Sequence, residues 1–192
     1  VLAATYDSVR RTLLSDKVRV DARERTTLKN LGAWLGKITL AQNRPILNVH
    51  MNPKEMLLEA YESGRLIACV PFVANVLEAV AESKVFRPPN PWTVALLSLL
   101  RELIEVSDLK LNLIFAVENL CRVLGIEVRE IQPTRLLHSR KRPVLAGNPD
   151  FKETASEAAV PGIAPNSAAA SSAASSGVPG GAPAIPGMLS LV

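Results

Sequence analysis

The chain has 192 residues, a formal charge of +4, 48% hydrophobic and 4% aromatic residues, and 2 cysteines. Cys69 and Cys121 alone exclude a disulfide scaffold and a four-cysteine zinc site, and no apolar run approaches the roughly 20 residues of a membrane span. The first residues, interrupted by Asp7 and Arg10, lack the charged start and continuous apolar stretch of a signal peptide, so a reduced, intracellular protein is expected. No Lys or Arg follows Lys152, and only Glu153 and Glu157 are acidic beyond it, so residues 1–152 carry +6. Length and this split predict one domain of about 150 residues followed by a tail. The chain opens inside a helical pattern without an initiator Met, which predicts a fragment.

Helix follows helix in the ordered part. Leu2, Tyr6, Val9 and Leu13 fall at helical spacing over Leu2–Leu14. A charged stretch from Asp16 to Arg25 reads as a loop and a first turn. Leu28, Leu31, Leu35 and Ile38 share one helix face, ended by Asn43-Arg44-Pro45. Gly32 and Gly36, four apart on that helix, suit the close approach of a neighbouring helix. Asn52-Pro53-Lys54-Glu55 is a start signal, with Asn52 as cap, Pro53 at the first helical position and Glu55 placed for a capping box. Met56, Leu57, Ala60 and Tyr61 form the apolar face of this helix, and Gly64 ends it.

An apolar helix over Leu66–Val80 carries Pro71, which predicts a kink or a break near Val70. Asn90-Pro91 repeats the start signal before Trp92–Val106. Ser107 or Asp108 can cap Leu109–Leu124, and Gly125 stops it. A short helix holding Thr134, Leu136 and Leu137 is expected after Pro133. The two Asn-Pro starts and short joints predict an all-α, HEAT-like stack of antiparallel helix pairs. Periodicity alone leaves a helical bundle as the alternative. From Thr154 to Gly187, 27 of 34 residues are Ala, Ser, Pro or Gly, a composition that cannot offset the entropy of ordering, so a disordered C-terminal tail is expected.

Catalytic chemistry finds little footing. His50 and His138 stand in no metal-ligand spacing, the cysteines read as buried structural thiols, and no phosphate loop is present. Glu102 and Glu105 read as solvent-facing. No catalytic, cofactor-binding or metal-binding residue is assigned, and the chain reads as a non-enzyme. Arg10, Arg11, Arg19, Arg23, Arg25, Arg135, Arg140, Lys141 and Arg142 supply an alternative, a helical RNA-binding module. They are interleaved with Asp16, Asp21 and Glu24, and aromatic stacking platforms are missing. Trp34 lies off its apolar stripe beside Asn30 and Lys37, and Trp92 ends a stiff Pro88-Pro89-Asn90-Pro91 joint. Tryptophan is favoured at protein–protein hot spots.

Four strings carry a family resemblance: Leu28-Lys29-Asn30-Leu31-Gly32-Ala33-Trp34-Leu35-Gly36-Lys37-Ile38-Thr39, Pro88-Pro89-Asn90-Pro91-Trp92-Thr93, Leu109-Lys110-Leu111-Asn112-Leu113 and Gly147-Asn148-Pro149-Asp150-Phe151. In order and spacing they resemble the Not-one scaffold subunit of the eukaryotic CCR-NOT deadenylase complex. The resemblance implies the C-terminal part of its middle, initiation-factor-four-G-like HEAT domain over residues 1–151, with the first helix pairs missing, and a linker over 152–192. It further implies a docking platform without activity of its own. The implied partners are the Caf-type poly(A) ribonuclease subunit, a DEAD-box RNA helicase and, through the rest of the scaffold, other CCR-NOT subunits, with RNA contacted mostly indirectly and no membrane. Cytoplasm, including processing bodies, and nucleus are the compartments it implies. By motif position, Asn30, Trp34, Lys37 and Arg44 are expected on the helicase side, and Pro88, Asn90 and Trp92 on the deadenylase side.

Overall fold

The computed structural model describes residues 1–142 and 147–152. They lie in the first of two units, Val1–Ala158; the second, Ala159–Val192, and with it the expected tail, falls outside the described residues. Among the described residues the α-helices are α1 (Leu2–Leu14), α2 (Lys17–Val20), α3 (Ala22–Ile38), α4 (Pro53–Ser63), α5 (Leu66–Glu78), α6 (Pro91–Ile104) and α7 (Leu111–Leu124). α1 packs on α3, α4 on α5 and α6 on α7, and α5 lies between α3 and α7. The result is a HEAT-like stack: α3, α5 and α7 form one layer, and α1, α4 and α6 form the other.

The start signals work as their chemistry requires. Asn52 accepts from the N–H groups of Lys54 and Glu55, and Asn90 from those of Trp92 and Thr93. Gly64 and Gly125 end α4 and α7 at φ 68°, a left-handed conformation that glycine, having no Cβ, adopts most readily. The carboxylate of Glu55 does not complete a capping box; it lies 3.9 Å from Arg140.

Expected helix bounds are corrected as well. In the charged stretch read as a loop and a first turn, Lys17–Val20 forms the short helix α2 in place of a loop, and Asp21 caps α3 through Arg23 N–H, so that the first turn begins at Ala22. Of the kink or break expected at Pro71, the break near Val70 does not occur: α5 continues through Pro71, in a helix with ten buried residues whose packing outweighs the one missing backbone hydrogen bond. α7 starts at Leu111, not Leu109, because the residues before it pair elsewhere. Leu109 forms an antiparallel bridge with Phe151, Lys110 N–H donates to Asp150 C=O (3.0 Å), and Lys152 N–H donates to Asp108 C=O (2.7 Å).

α5 is the centre of the core, with Leu66, Phe72 and Leu77 fully buried. Each such side chain contributes roughly 1.5–3 kcal/mol of burial. α3 reaches it closely because of its two glycines. A Cβ on Gly32 would stand 2.7 Å from Phe72 O, and one on Gly36 would stand 2.6 Å from Val76 O.

Asp150, fully buried, accepts from the Leu66 and Ile67 N–H groups (3.0 and 2.7 Å) and so caps α5 from 84 residues away. Burial pushes this carboxyl above its ordinary range, outweighing the pull of both N–H groups and of Arg19 and Lys110.

The segment after Pro133 forms a 3₁₀ turn, Leu137–Ser139, instead of a helix. It is tied down by Glu102, which is 6% exposed and does not face solvent as expected. Glu102 accepts from Thr134 Oγ1 and from the N–H groups of Leu136 (3.1 Å) and Leu137 (3.0 Å). Arg140 then reaches α4, 3.2 Å from Glu62. Residues 134–140 are therefore a strap from α6 to α4.

Candidate docking surfaces

Asn30, Trp34 and Lys37 stand at i, i+4 and i+7 on α3, and all three are exposed. Opposite them, Leu28, Gly32, Leu35 and Gly36 pack inward. The indole of Trp34 is 49% exposed, a large ring held out on a helix whose other face is fixed against α5. Lys29, Lys37 and Arg44 are exposed around it, so the ridge is basic with an apolar centre.

The second cluster is built on the 83–90 joint. Asn90 caps α6 with its carbonyl while its amide donates to Val85 C=O (2.9 Å). Thr93 Oγ1 donates to Phe86 C=O (2.6 Å). Trp92 is half-buried, its ring edge-on to Phe86 at 5.9 Å. Pro88 and Pro89 line an open recess of about 360 Å³ together with Val94, Leu97, Ile126 and Ile131. Most of this lining is apolar, with Ser98, Glu130 and Gln132 completing it, which suits a partner's apolar side chain.

The two clusters meet at Asn43, a residue that sequence reasoning treated only as a helix end. Asn43 adopts a left-handed conformation at φ 57°. Its carbonyl accepts from Ser83 Oγ (3.0 Å), Lys84 N–H (2.8 Å) and Val85 N–H (3.1 Å). Asn43 thus fastens the end of α3, next to Arg44, to the joint that carries Pro88, Asn90 and Trp92. The visible signal was an Asn placed for a left-handed turn; its partners, 40 residues away, carry no local mark.

The remaining chemistry is quiet. Burial pushes the Cys69 thiol up, with Asp150 and Glu59 adding to the effect, and burial followed by Glu118 raises Cys121. Both are opposite to the activation of a nucleophile. His50 stacks on Tyr6 at 5.4 Å, and His138 lies 3.5 Å from Glu102. Among the described residues no three His, Cys, Asp or Glu side chains gather as metal ligands, and no helix is long and apolar enough to cross a membrane.

Comparison with known proteins points the same way as the geometry. Residues 1–145 match the family model described as the CCR4-NOT transcription complex subunit 1 CAF1-binding domain. The chain is 45% identical over 113 residues, 59% of its length, to the General negative regulator of transcription subunit 1 of Schizosaccharomyces pombe. It is 45% identical over 127 residues, 66% of its length, to the protein of that name in Saccharomyces cerevisiae. To the CCR4-NOT transcription complex subunit let-711 of Caenorhabditis elegans it is 38% identical over 145 residues, 73% of its length. The matched regions span only 5–6% of these relatives.

Proposed function

The chain belongs to the CCR4-NOT transcription complex subunit 1 CAF1-binding domain family, and from that premise we propose that it is a non-catalytic scaffold module that docks a Caf-type deadenylase subunit. The observation that carries this reading is the match over residues 1–145, which takes in all seven described helices. The deadenylase seats on the joint and recess at Pro88, Asn90 and Trp92. A DEAD-box RNA helicase seats on the α3 ridge at Asn30, Trp34, Lys37 and Arg44. Held together, the two support mRNA deadenylation, decay and translational repression, in the cytoplasm and the nucleus.

The geometry supports two separable surfaces. Each presents a tryptophan on a rigid base, and they lie on different helices, α3 and the start of α6. RNA contact is mostly indirect in this reading, because several basic groups are already engaged. Arg65 pairs with Asp16 at 2.9 Å, Arg140 with Glu62 at 3.2 Å, and Arg142 lies 3.5 Å over the ring of Phe151. Arg25 donates to the carbonyls of Val18 and Arg19.

Pull-down with each purified partner tests the assignment. Trp92→Ala is expected to lose the deadenylase and keep the helicase; Lys37→Glu is expected to do the reverse. Retention of both partners by both folded variants would reject the surfaces. A sub-micromolar, steeply salt-dependent titration with single-stranded RNA would favour an RNA-binding module instead.

A further inference from the structure

The cations of the chain are not engaged alike. Arg25, Arg65, Arg101 and Arg140 each hold a carbonyl or a carboxylate, and Arg142 lies over the Phe151 ring. Along α3 and the joint beyond it the pattern differs. Between Ala22 and His50 every exposed charged residue is a cation: Arg23, Lys29, Lys37 and Arg44. Lys84 and Arg87 continue the series on the joint. Among the described residues none of these six forms an ion pair.

Hydrogen bonds bring the later members of the series to one edge of the stack. Arg44 N–H donates to Thr39 C=O (2.9 Å), which turns it back onto the end of α3, two residues past Lys37. Asn43 then holds the N–H groups of Lys84 and Val85 (2.8 and 3.1 Å). Lys37, Arg44, Lys84 and Arg87 thus follow one another on a base that is already fixed. Two apolar side chains stand among them, Trp34 (49% exposed) and Val85 (54% exposed). The carboxylates next to this edge are Glu78, ending α5, and Glu82, in the 3₁₀ turn before the joint. Against Lys29, Lys37, Arg44, Lys84 and Arg87 they leave the edge clearly positive.

We propose that this edge is a docking site for an acidic, extended segment of a protein partner, in which carboxylates alternate with apolar side chains. The carboxylates meet Lys37, Arg44, Lys84 and Arg87, and the apolar side chains lie against Trp34 and Val85. The inference rests on the reading of α3 as a docking ridge and names the chemistry that seats there. Unpaired cations favour an acidic segment and disfavour a basic one, and they speed its encounter at low salt. Nucleic acid fits less well. Lys29 and Lys37 stand about 12 Å apart along the helix, and Trp34 is the one ring between them, whereas a single strand is held by stacking of successive bases on several rings.

The test is a fluorescence-anisotropy titration of the 192-residue chain with a labelled peptide of four Glu-Leu-Asp repeats, at low salt. Saturable binding is expected, about tenfold weaker in Lys84→Glu/Arg87→Glu. Both side chains are exposed, so the fold survives, as circular dichroism would verify. A peptide of four Lys-Leu-Arg repeats is expected to bind this variant better than the native chain. Lys54→Glu/Arg122→Glu makes the same change in net charge on α4 and α7 and is expected to bind the acidic peptide as the native chain does. Equal binding by native and Lys84→Glu/Arg87→Glu chains, equal loss in Lys54→Glu/Arg122→Glu, or no saturation at millimolar chain would overturn the proposal. Tighter binding of a labelled oligouridylate, weakened by the same variant, would overturn it in favour of a nucleic-acid path. Lys84 and Arg87 belong to neither seat assigned above. Loss of the helicase in Lys37→Glu with peptide binding unchanged in Lys84→Glu/Arg87→Glu would therefore sink the edge and leave the ridge standing.

Discussion

A buried carboxylate at the start of a helix has two effects that pull against each other. Asp150 satisfies two N–H groups of α5, and its removal in Asp150→Ala leaves them unpaired, a cost of about 1–3 kcal/mol. Yet its charge is disfavoured by burial, which holds its folded-state pKa above the ordinary carboxylate value. The native state therefore keeps the proton to higher pH than the unfolded chain does. Its contribution to stability is full below the unfolded pKa and is lost as pH rises through the raised one. Urea unfolding from pH 4 upward should show this decline in the native chain and a flatter profile in Asp150→Asn. At Asn43 the same logic is purely one of hydrogen bonds. Asn43→Ala removes the acceptor for three donors of the 83–85 segment, so amide exchange at Lys84 and Val85 should accelerate while the α5 amides stay protected.

At the level of elements, the closest contact is α3 on α5. Gly36→Ala would force a methyl to within 2.6 Å of Val76 O and 2.8 Å of the Ala79 Cβ, and backbone cannot step aside as a flexible side chain does. Destabilisation of about 1–3 kcal/mol is expected, read as a lower urea midpoint with unchanged slope. Asn90→Ala, which uncaps α6 beneath Trp92, should cost about 0.5–2 kcal/mol by the same measurement. Local chemistry made these elements readable. Asn-Pro starts, Gly stops and the Gly32/Gly36 pair each act within a few residues. What escaped was set by distant partners. Glu102 looked solvent-facing because nothing in its own helix reveals that Thr134, Leu136 and Leu137 fold back onto it. Asp108 looked like a helix cap because Phe151, which takes Leu109 into a bridge, lies more than 40 positions away. Trp34 and Lys37 could be placed on an outward face from periodicity, whereas the Asn43 fastening and the recess beside Pro88 required the packed stack.

Across the whole molecule, the four strings that carried the family resemblance prove to be the parts where segments meet. The first packs α3 on α5, the second caps α6, and the third and fourth join at the Leu109–Phe151 bridge. The two tryptophan surfaces adjoin at Asn43 but stand on different helices, α3 and the start of α6, and simultaneous occupancy is the expected outcome. Size-exclusion chromatography with light scattering is expected to give a one-to-one-to-one complex of the chain with deadenylase and helicase, and competition between the two would refute the placement. The glycine contact also has a mechanical side. Where two helices approach this closely over a full turn, with glycine on one side facing backbone carbonyls, the Phe72 ring and the Ala79 methyl on the other, the joint resists sliding and transmits force stiffly. A load applied at Trp34 passes directly into α5, the most buried helix, rather than peeling α3 away. Stretched from its ends, the molecule should let go of α1 and the strap first, with the α3–α5 joint the last to part.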